Sequence, residues 1–327
     1  MRSIFLFSAT LMLASVCRGI DLGLSNPFQD LIDSVRDFAL EQVGPAQVGT
    51  GYAALINFAS NPDIATATYY VDPGPNASAE INVYRVGFRK DFFEDGDRWR
   101  PFLQGVIPYQ TIDYRLDIDS EEAVRADWTA YGFILSGGNE FVLNEFWTFA
   151  PTINLGFVRL ESNAGYRGAI AENILDPAFE GSVFDWEADA ILSGLTFAFK
   201  YEQPFDFYTA RLSTSATYNE ITTYRTSTDD IDISGSATTI DTDLEAVFPT
   251  FFEWNRFPVS VVLTTGGTAF LGGSRQALGF NSFLSYGAAV ELNIKRLDWP
   301  MQNLRLGGQG IAGDNVTGWS IIFSYGF

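Results

Sequence analysis

The sequence predicts an all-β protein: a transmembrane antiparallel β-barrel of about 12 strands, preceded by one N-terminal amphipathic helix. Three observations carry that expectation. Many segments alternate apolar and polar side chains with the period of two that belongs to strands. No stretch reads as a spanning helix, although the chain holds 29 Phe, 14 Tyr, 7 Trp and 30 Gly. The links between alternating segments switch regularly between compact and long. A membrane chain without spanning helices has one other option, a closed barrel, because lipid offers no partner for backbone N–H and C=O groups.

The N-terminus reads as an export signal over 1–19. Arg2 supplies a short positive region, and Ile4 to Val16 is an apolar run too short to span. Cleavage is expected after Gly19, with Cys17 as the alternative, and either removes the one cysteine from the mature chain. That excludes disulfides, thiolate metal sites and cysteine nucleophiles. Residues 20–60 read as a helix and linker that form a candidate plug. Phe28, Leu31, Ile32, Val35, Phe38 and Ala39 recur at three and four residues, with Asp33, Asp37 and Glu41 on another face. Pro27 and Gly44-Pro45 bracket that helix.

Residues 61–327 read as the barrel. Strands are expected near 62–72, 79–92, 98–117, 124–138, 146–160, 183–200, 206–224, 238–253, 257–271, 277–295, 301–311 and 315–327. Val48–Ala59 has strand character too, but parity forbids a thirteenth span. In 207–219, Tyr208, Ala210, Leu212 and Ala216 oppose Arg211, Ser213, Ser215 and Thr217, so the expected arrangement is apolar out and polar in, around a wet interior. The apolar face switches sides within 98–117 and 183–200, which a β-bulge would explain. Compact links fall at Glu94–Arg98, Asn139–Glu145, Tyr201–Asp206, Trp254–Arg256 and Leu297–Pro300; polar ones fall at Asp117–Val124, Asn163–Ser182 and Arg225–Ala237. Parity from the C-terminus puts every compact turn at one end, the periplasmic end if the last strand finishes there.

Charge and composition narrow the partners. There are 40 Asp+Glu against 20 Lys+Arg, a net −20 that becomes −22 once Arg2 and Arg18 leave with the signal. Nucleic acid is therefore excluded as a partner, since phosphate binding needs the opposite sign. Histidine is absent, which removes every mechanism with an imidazole base. The chain is read as a non-enzyme with no cofactor and no metal.

Candidate site residues come from inward faces. Asp241, Asp243 and Glu245 alternate with Thr242, Leu244 and Ala246, so they are expected to line the lumen near its outer mouth. Asp185, Glu187 and Asp189 form a second ladder, whose facing the sequence leaves open, and Asp113, Asp117 and Asp119 with Glu121 and Glu122 a third. Carboxylate rings concentrate cations at a pore mouth, and hard oxygens also suit Ca²⁺; the alternative is a solvated acidic surface, and no segment has a calcium-loop spacing. Arg85, Arg89, Arg211 and Arg305 are expected on inward faces of the lower half, within reach of Asp33, Asp37 and Glu41 if the helix plugs the lumen. The helix otherwise lies at the periplasmic rim.

The ending decides the family resemblance. Thr317, Trp319, Ile321, Phe323, Tyr325 and Phe327 share one face, and the chain finishes on Ser324-Tyr325-Gly326-Phe327. This resembles the closing strand of bacterial outer-membrane barrels. A helix followed by about twelve strands and a terminal Phe resembles the solitary autotransporter-type barrels, a translocator-like domain without a passenger. The resemblance implies a Gram-negative outer-membrane, porin-like protein, a monomer, surrounded by outer-membrane lipid and lipopolysaccharide. It also implies that Phe323, Tyr325 and Phe327 are read by the barrel assembly machinery. The function expected first is a narrow or helix-gated pore for small solutes, and the alternative is a closed structural or surface-interaction barrel acting through its outer loops.

Overall fold

The computed structural model of the protein describes residues 32, 36, 53, 54, 56 and 57, then 66–326 apart from 75, 93–96, 119–120, 182–183, 229–232, 273–277 and 296–302. Its strands are β1 (Thr66–Gly74), β2 (Ala77–Asp91), β3 (Trp99–Asp117), β4 (Ala123–Val142), β5 (Trp147–Arg167), β6 (Trp186–Pro204), β7 (Thr209–Thr226), β8 (Ser234–Trp254), β9 (Phe257–Leu271), β10 (Ser282–Asn293), β11 (Asn303–Gly313) and β12 (Val316–Gly326). Each pairs antiparallel with its neighbours in sequence, and β1 pairs with β12 to close the barrel. Closure leaves no edge, which is what the bilayer demands of a sheet. No helix among the described residues is long and apolar enough to cross a membrane.

Links 92–98, 143–146, 205–208, 255–256 and 294–302 share one end of the barrel, here the turn end. The other, the loop end, carries the longest link, 168–185, together with 118–122, 227–233 and 272–281. Compactness alone does not mark an end, however. Links 75–76 and 314–315 at the loop end are as short as 255–256. Left-handed Asn76, Asn255 and Asn315 (φ 65°, 50° and 61°) make those three turns possible, since Asn tolerates that region better than other side chains.

The outer face follows the predicted alternation through the middle of the wall. Val86, Phe88, Ile107, Phe133, Leu155, Phe157, Phe197, Leu263, Leu284 and Leu306 are all exposed. Tyr84, Tyr109 and Tyr131 lie side by side in register on β2, β3 and β4, with ring centroids 6.0 and 6.4 Å apart. Beyond that row, towards the loop end, β3–β6 carry outward ion pairs: Asp113–Arg125 at 2.8 Å, Arg115–Asp117 at 3.0 Å, and Arg159 with Glu161, Glu187 and Asp189. Exposed Phe205, Phe207, Phe251, Phe252, Trp254 and Trp99 ring the turn end. An apolar band between aromatic belts is the signature of a lipid-embedded barrel.

The inner face departs from the expected wet interior. Towards the loop end it is apolar: Tyr69, Ile81, Val83, Ile134, Leu160, Leu192, Ile221, Phe270 and Phe283 are buried in one cluster. This explains the apparent change of face in the third and sixth strands without a bulge in either. On β6, Trp186, Ala188, Ala190 and Leu192 point inward, and the pairing register with β7 runs unbroken from Ala190 to Glu202. The outward positions change from Glu187 and Asp189 to Leu195, Phe197 and Phe199 because the wall passes from water into lipid. The irregularity in the β6–β7 pairing, between Asp189 and Ala190, places its extra residue on β7.

Candidate functional site

The lumen is built from two contrasting halves. In the half nearer the loop end, helical residues Ala53, Ala54 and Ile56 are fully buried within the apolar wall cluster. The strand character of Val48–Ala59 thus belongs, at these positions, to helix inside the barrel. Burying Ile56 alone contributes about 2 kcal/mol. Asn57, also buried, donates to the Ala237 carbonyl at 3.1 Å and to Thr239 Oγ1 at 3.2 Å on β8, and accepts from Asn219 Nδ2 on β7. Asn154 Nδ2 then donates to Asn219 Oδ1 at 3.4 Å and to Thr196 Oγ1 at 3.0 Å. The segment is therefore fixed by shape and by a neutral amide ladder running over β5–β8.

Towards the turn end the lumen is lined by ion pairs. Arg305 on β11 bonds Glu245 on β8 with both terminal nitrogens, and Glu291 on β10 through Nη2 at 2.8 Å and Nε at 3.3 Å. Arg211 on β7 reaches Glu291 at 3.3 Å, Glu245 at 4.0 Å and Glu202 at 3.2 Å. Arg305, Glu245 and Glu291 are only 11%, 14% and 10% exposed, so these pairs are largely desolvated and depend on each other's geometry. A second group gathers on Glu140 of β4: Arg89 at 3.6 Å, Arg100 at 3.8 Å and Lys200 at 3.4 Å, with Arg89 also at 2.8 Å from Asp91 and stacked over Phe102.

At the loop end the 168–185 link folds into a short helix, a π-turn Ala171–Leu175 running into Asp176–Phe179. Glu122 caps its start, accepting the N–H groups of Ile170 at 3.2 Å and Ala171 at 2.9 Å. Gly168, at φ +106°, passes so close to that carboxylate that a Cβ there would lie 2.4 Å from it. Arg36 closes the other end, donating to the Pro177 and Ala178 carbonyls at 2.8 and 3.0 Å. Ile32 packs against Ala171, Leu175 and Ala178.

The sequence-predicted residues fall as follows. Asp241, Asp243 and Glu245 occupy alternate inward positions of β8, but in the middle of that strand rather than at the outer mouth. Asp241 accepts from Thr268 at 2.7 Å, and Glu245 belongs to the arginine network. Arg85, Arg89, Arg211 and Arg305 face inward, and Arg85 is buried. The described partners of Arg211 and Arg305 are strand carboxylates, Glu202, Glu245 and Glu291. Asp33, Asp37 and Glu41, the expected partners, lie outside the described residues, as do 1–19 and Phe327. Ile32 and Arg36 of the expected plug helix sit at the loop end against the 168–185 helix, while the buried lumen residues come from 53–57. Glu187 and Asp189 face outward with Arg159, and Asp113 and Asp117 face outward with Arg125 and Arg115. Phe323 is exposed on the outer wall beside Trp319 and Ile321, and the Tyr325 side chain is outside the described set. Sequence reasoning gave Glu291 and Glu140 no role; both stand at inward positions in line with predicted residues, and that parity was the signal available.

A family model described as the solitary outer membrane autotransporter β-barrel domain matches residues 74–327. The chain belongs to that family. It is a solitary autotransporter barrel of the bacterial outer membrane. The transport unit of the autotransporter AIDA-I from Escherichia coli shares the fold, with 11% identity and a TM-score of 0.50 over 85% of this chain and 98% of that one. The translocator domain of NalP from Neisseria meningitidis aligns with 10% identity and a TM-score of 0.46 over 90% and 98%. The β domain of the Bordetella autotransporter BrkA aligns with 13% identity and a TM-score of 0.46 over 80% and 98%. No curated protein matches this solitary barrel in sequence.

Proposed function

We propose that this solitary autotransporter barrel is closed by its own N-terminal segment and acts at the surface through its loop end, rather than as an open diffusion pore. The observation that carries the reading is the complete burial of Ala53, Ala54 and Ile56 against the inner wall, with Asn57 bonded to β8. A barrel of about twelve strands is only modestly wider than one filled by side chains, so one helical segment takes up much of the bore. The loop end is then extracellular and the turn end periplasmic, with lipid and lipopolysaccharide around the outer wall and the protein monomeric. Phe323, Tyr325 and Phe327 serve as the signal for barrel assembly. No catalytic role is assigned.

A second reading, a plug-gated pore for small solutes, is favoured by the charged lower lumen around Arg305 and Glu140. Planar-bilayer recording separates the two. The closed barrel should be silent and the gated pore should open intermittently, while Ile56→Asp, which forces a charge into the apolar cluster, should raise conductance severalfold in either case. The opened pore should prefer cations, and converting Asp241, Asp243 and Glu245 to amides should reduce the preference, most visibly at low salt. Steady porin-sized conductance in the wild type would overturn the closed reading.

A further inference from the structure

The inner wall of β3–β5 at the loop end holds three hydroxyls that the fold leaves unsatisfied. Tyr114 on β3, and Ser162 and Tyr166 on β5, occupy inward positions, and their buried hydroxyl oxygens have no hydrogen-bond partner among the described residues. Ser162 is 1% exposed. Buried polar groups are nearly always paired, so three orphans on one wall call for a missing partner. Aromatic rings surround them. Trp128 stands in register with Ser162, and its ring is 6.2 Å from Tyr114 and 5.7 Å from Phe184. The wall is thin between the two tyrosines, where Ala126 and Ala164 share the register line of Tyr114.

The wall is also neutral in its inward strand side chains. Its inward positions run Gln110 to Leu116 on β3, Val124 to Ala130 on β4 and Leu160 to Tyr166 on β5, and none is charged. Hydroxyls both donate and accept, aromatic rings cover apolar faces, and a carboxylate borders the wall, Asp185 accepting the Ala164 N–H at 3.1 Å, so an anionic ligand would meet like charge here. The 171–179 helix packs over Tyr166, with Glu122 anchoring its start and Arg36 its end. We propose that this wall is a binding site for a neutral saccharide, admitted when the 171–179 helix lifts from it. Only the source of the ligand, outside the cell, rests on the orientation given above; the chemistry does not.

Calorimetric titration of the full chain in detergent tests the site directly, with chitobiose, maltotriose and glucose 6-phosphate as probes. Saturable binding of a neutral sugar is expected, with the phosphate at least about tenfold weaker. Combining Tyr114→Phe with Tyr166→Phe should weaken binding about tenfold while heat-dependent gel mobility stays unchanged. Tyr131→Phe, on the outer wall, should bind as wild type. Arg36→Ala frees one end of the loop helix and should bind at least as tightly as wild type. Absence of saturable binding in both wild type and Arg36→Ala, as a merely hydrated wall would give, overturns the proposal. So does equal affinity in the phenylalanine variants, or a preference for glucose 6-phosphate. Conductance is read separately, so failure of the closed-barrel reading is distinguishable from failure of this one.

Discussion

Replacing Arg305 with Ala tests whether the lower lumen is dry. The guanidinium bonds Glu245 twice and Glu291 twice, and all three side chains are at least 86% covered. Breaking a buried pair from one side costs about 3–5 kcal/mol, because the abandoned carboxylate keeps its desolvation penalty. Arg211 remains 3.3 Å from Glu291 and 4.0 Å from Glu245, which offsets part of that loss, so about 3 kcal/mol is expected. This is about two decades in the unfolding equilibrium constant. Arg125→Ala is the matched control, since its 2.8 Å bond to Asp113 is on the outer wall with Arg125 65% exposed, and such pairs are worth about 0–1 kcal/mol. Urea unfolding in detergent micelles, followed by tryptophan fluorescence, measures both, and Glu245→Gln completes a double-mutant cycle. The Arg305 effect should persist at high salt, where the Arg125 effect fades. A cost for Arg305→Ala no larger than that for Arg125→Ala would mean that water fills the lower lumen and screens the network, and the argument from burial would fail.

Three further outcomes follow from single features. Gly168→Ala meets both a φ of +106° and the Glu122 carboxylate, so it should destabilise the loop helix by about 1–3 kcal/mol and speed proteolytic nicking between 168 and 185. Protease added to whole cells should cut 168–185 and 227–233 and spare the 255–256 turn; cleavage at 255–256 in intact cells would reverse the orientation. Deleting Phe327 should lower outer-membrane assembly far more than Ser324→Ala, measured by the fraction of heat-modifiable protein, and equal assembly would make the ending an ordinary strand.

The membrane barrel, its strand number, and the sharing of one end by five links were legible in the order of residues alone, because lipid imposes a strict alternation on the outer wall and closure imposes parity. Trp319, Ile321 and Phe323 on β12 are exposed as that pattern requires. The inward ladder of Asp241, Asp243 and Glu245 was legible for the same reason. The partners of those carboxylates were not. Glu245 meets Arg305 from three strands away and Arg211 from the neighbouring strand, and only closure brings β8, β10 and β11 around a common interior. The apolar half of the lumen was hidden as well. An inward Leu192 or Ile221 looks like a break in alternation until Ala53, Ala54 and Ile56 are found packed in the same cluster. The facing of Glu187 and Asp189 was likewise open in the sequence, because polarity along a strand does not say where lipid ends, and their pairing with Arg159 places them outward. Period two fixes which residues share a face; which medium that face meets at each height is set by what fills the barrel and where the bilayer stops, and only the tertiary structure holds that information.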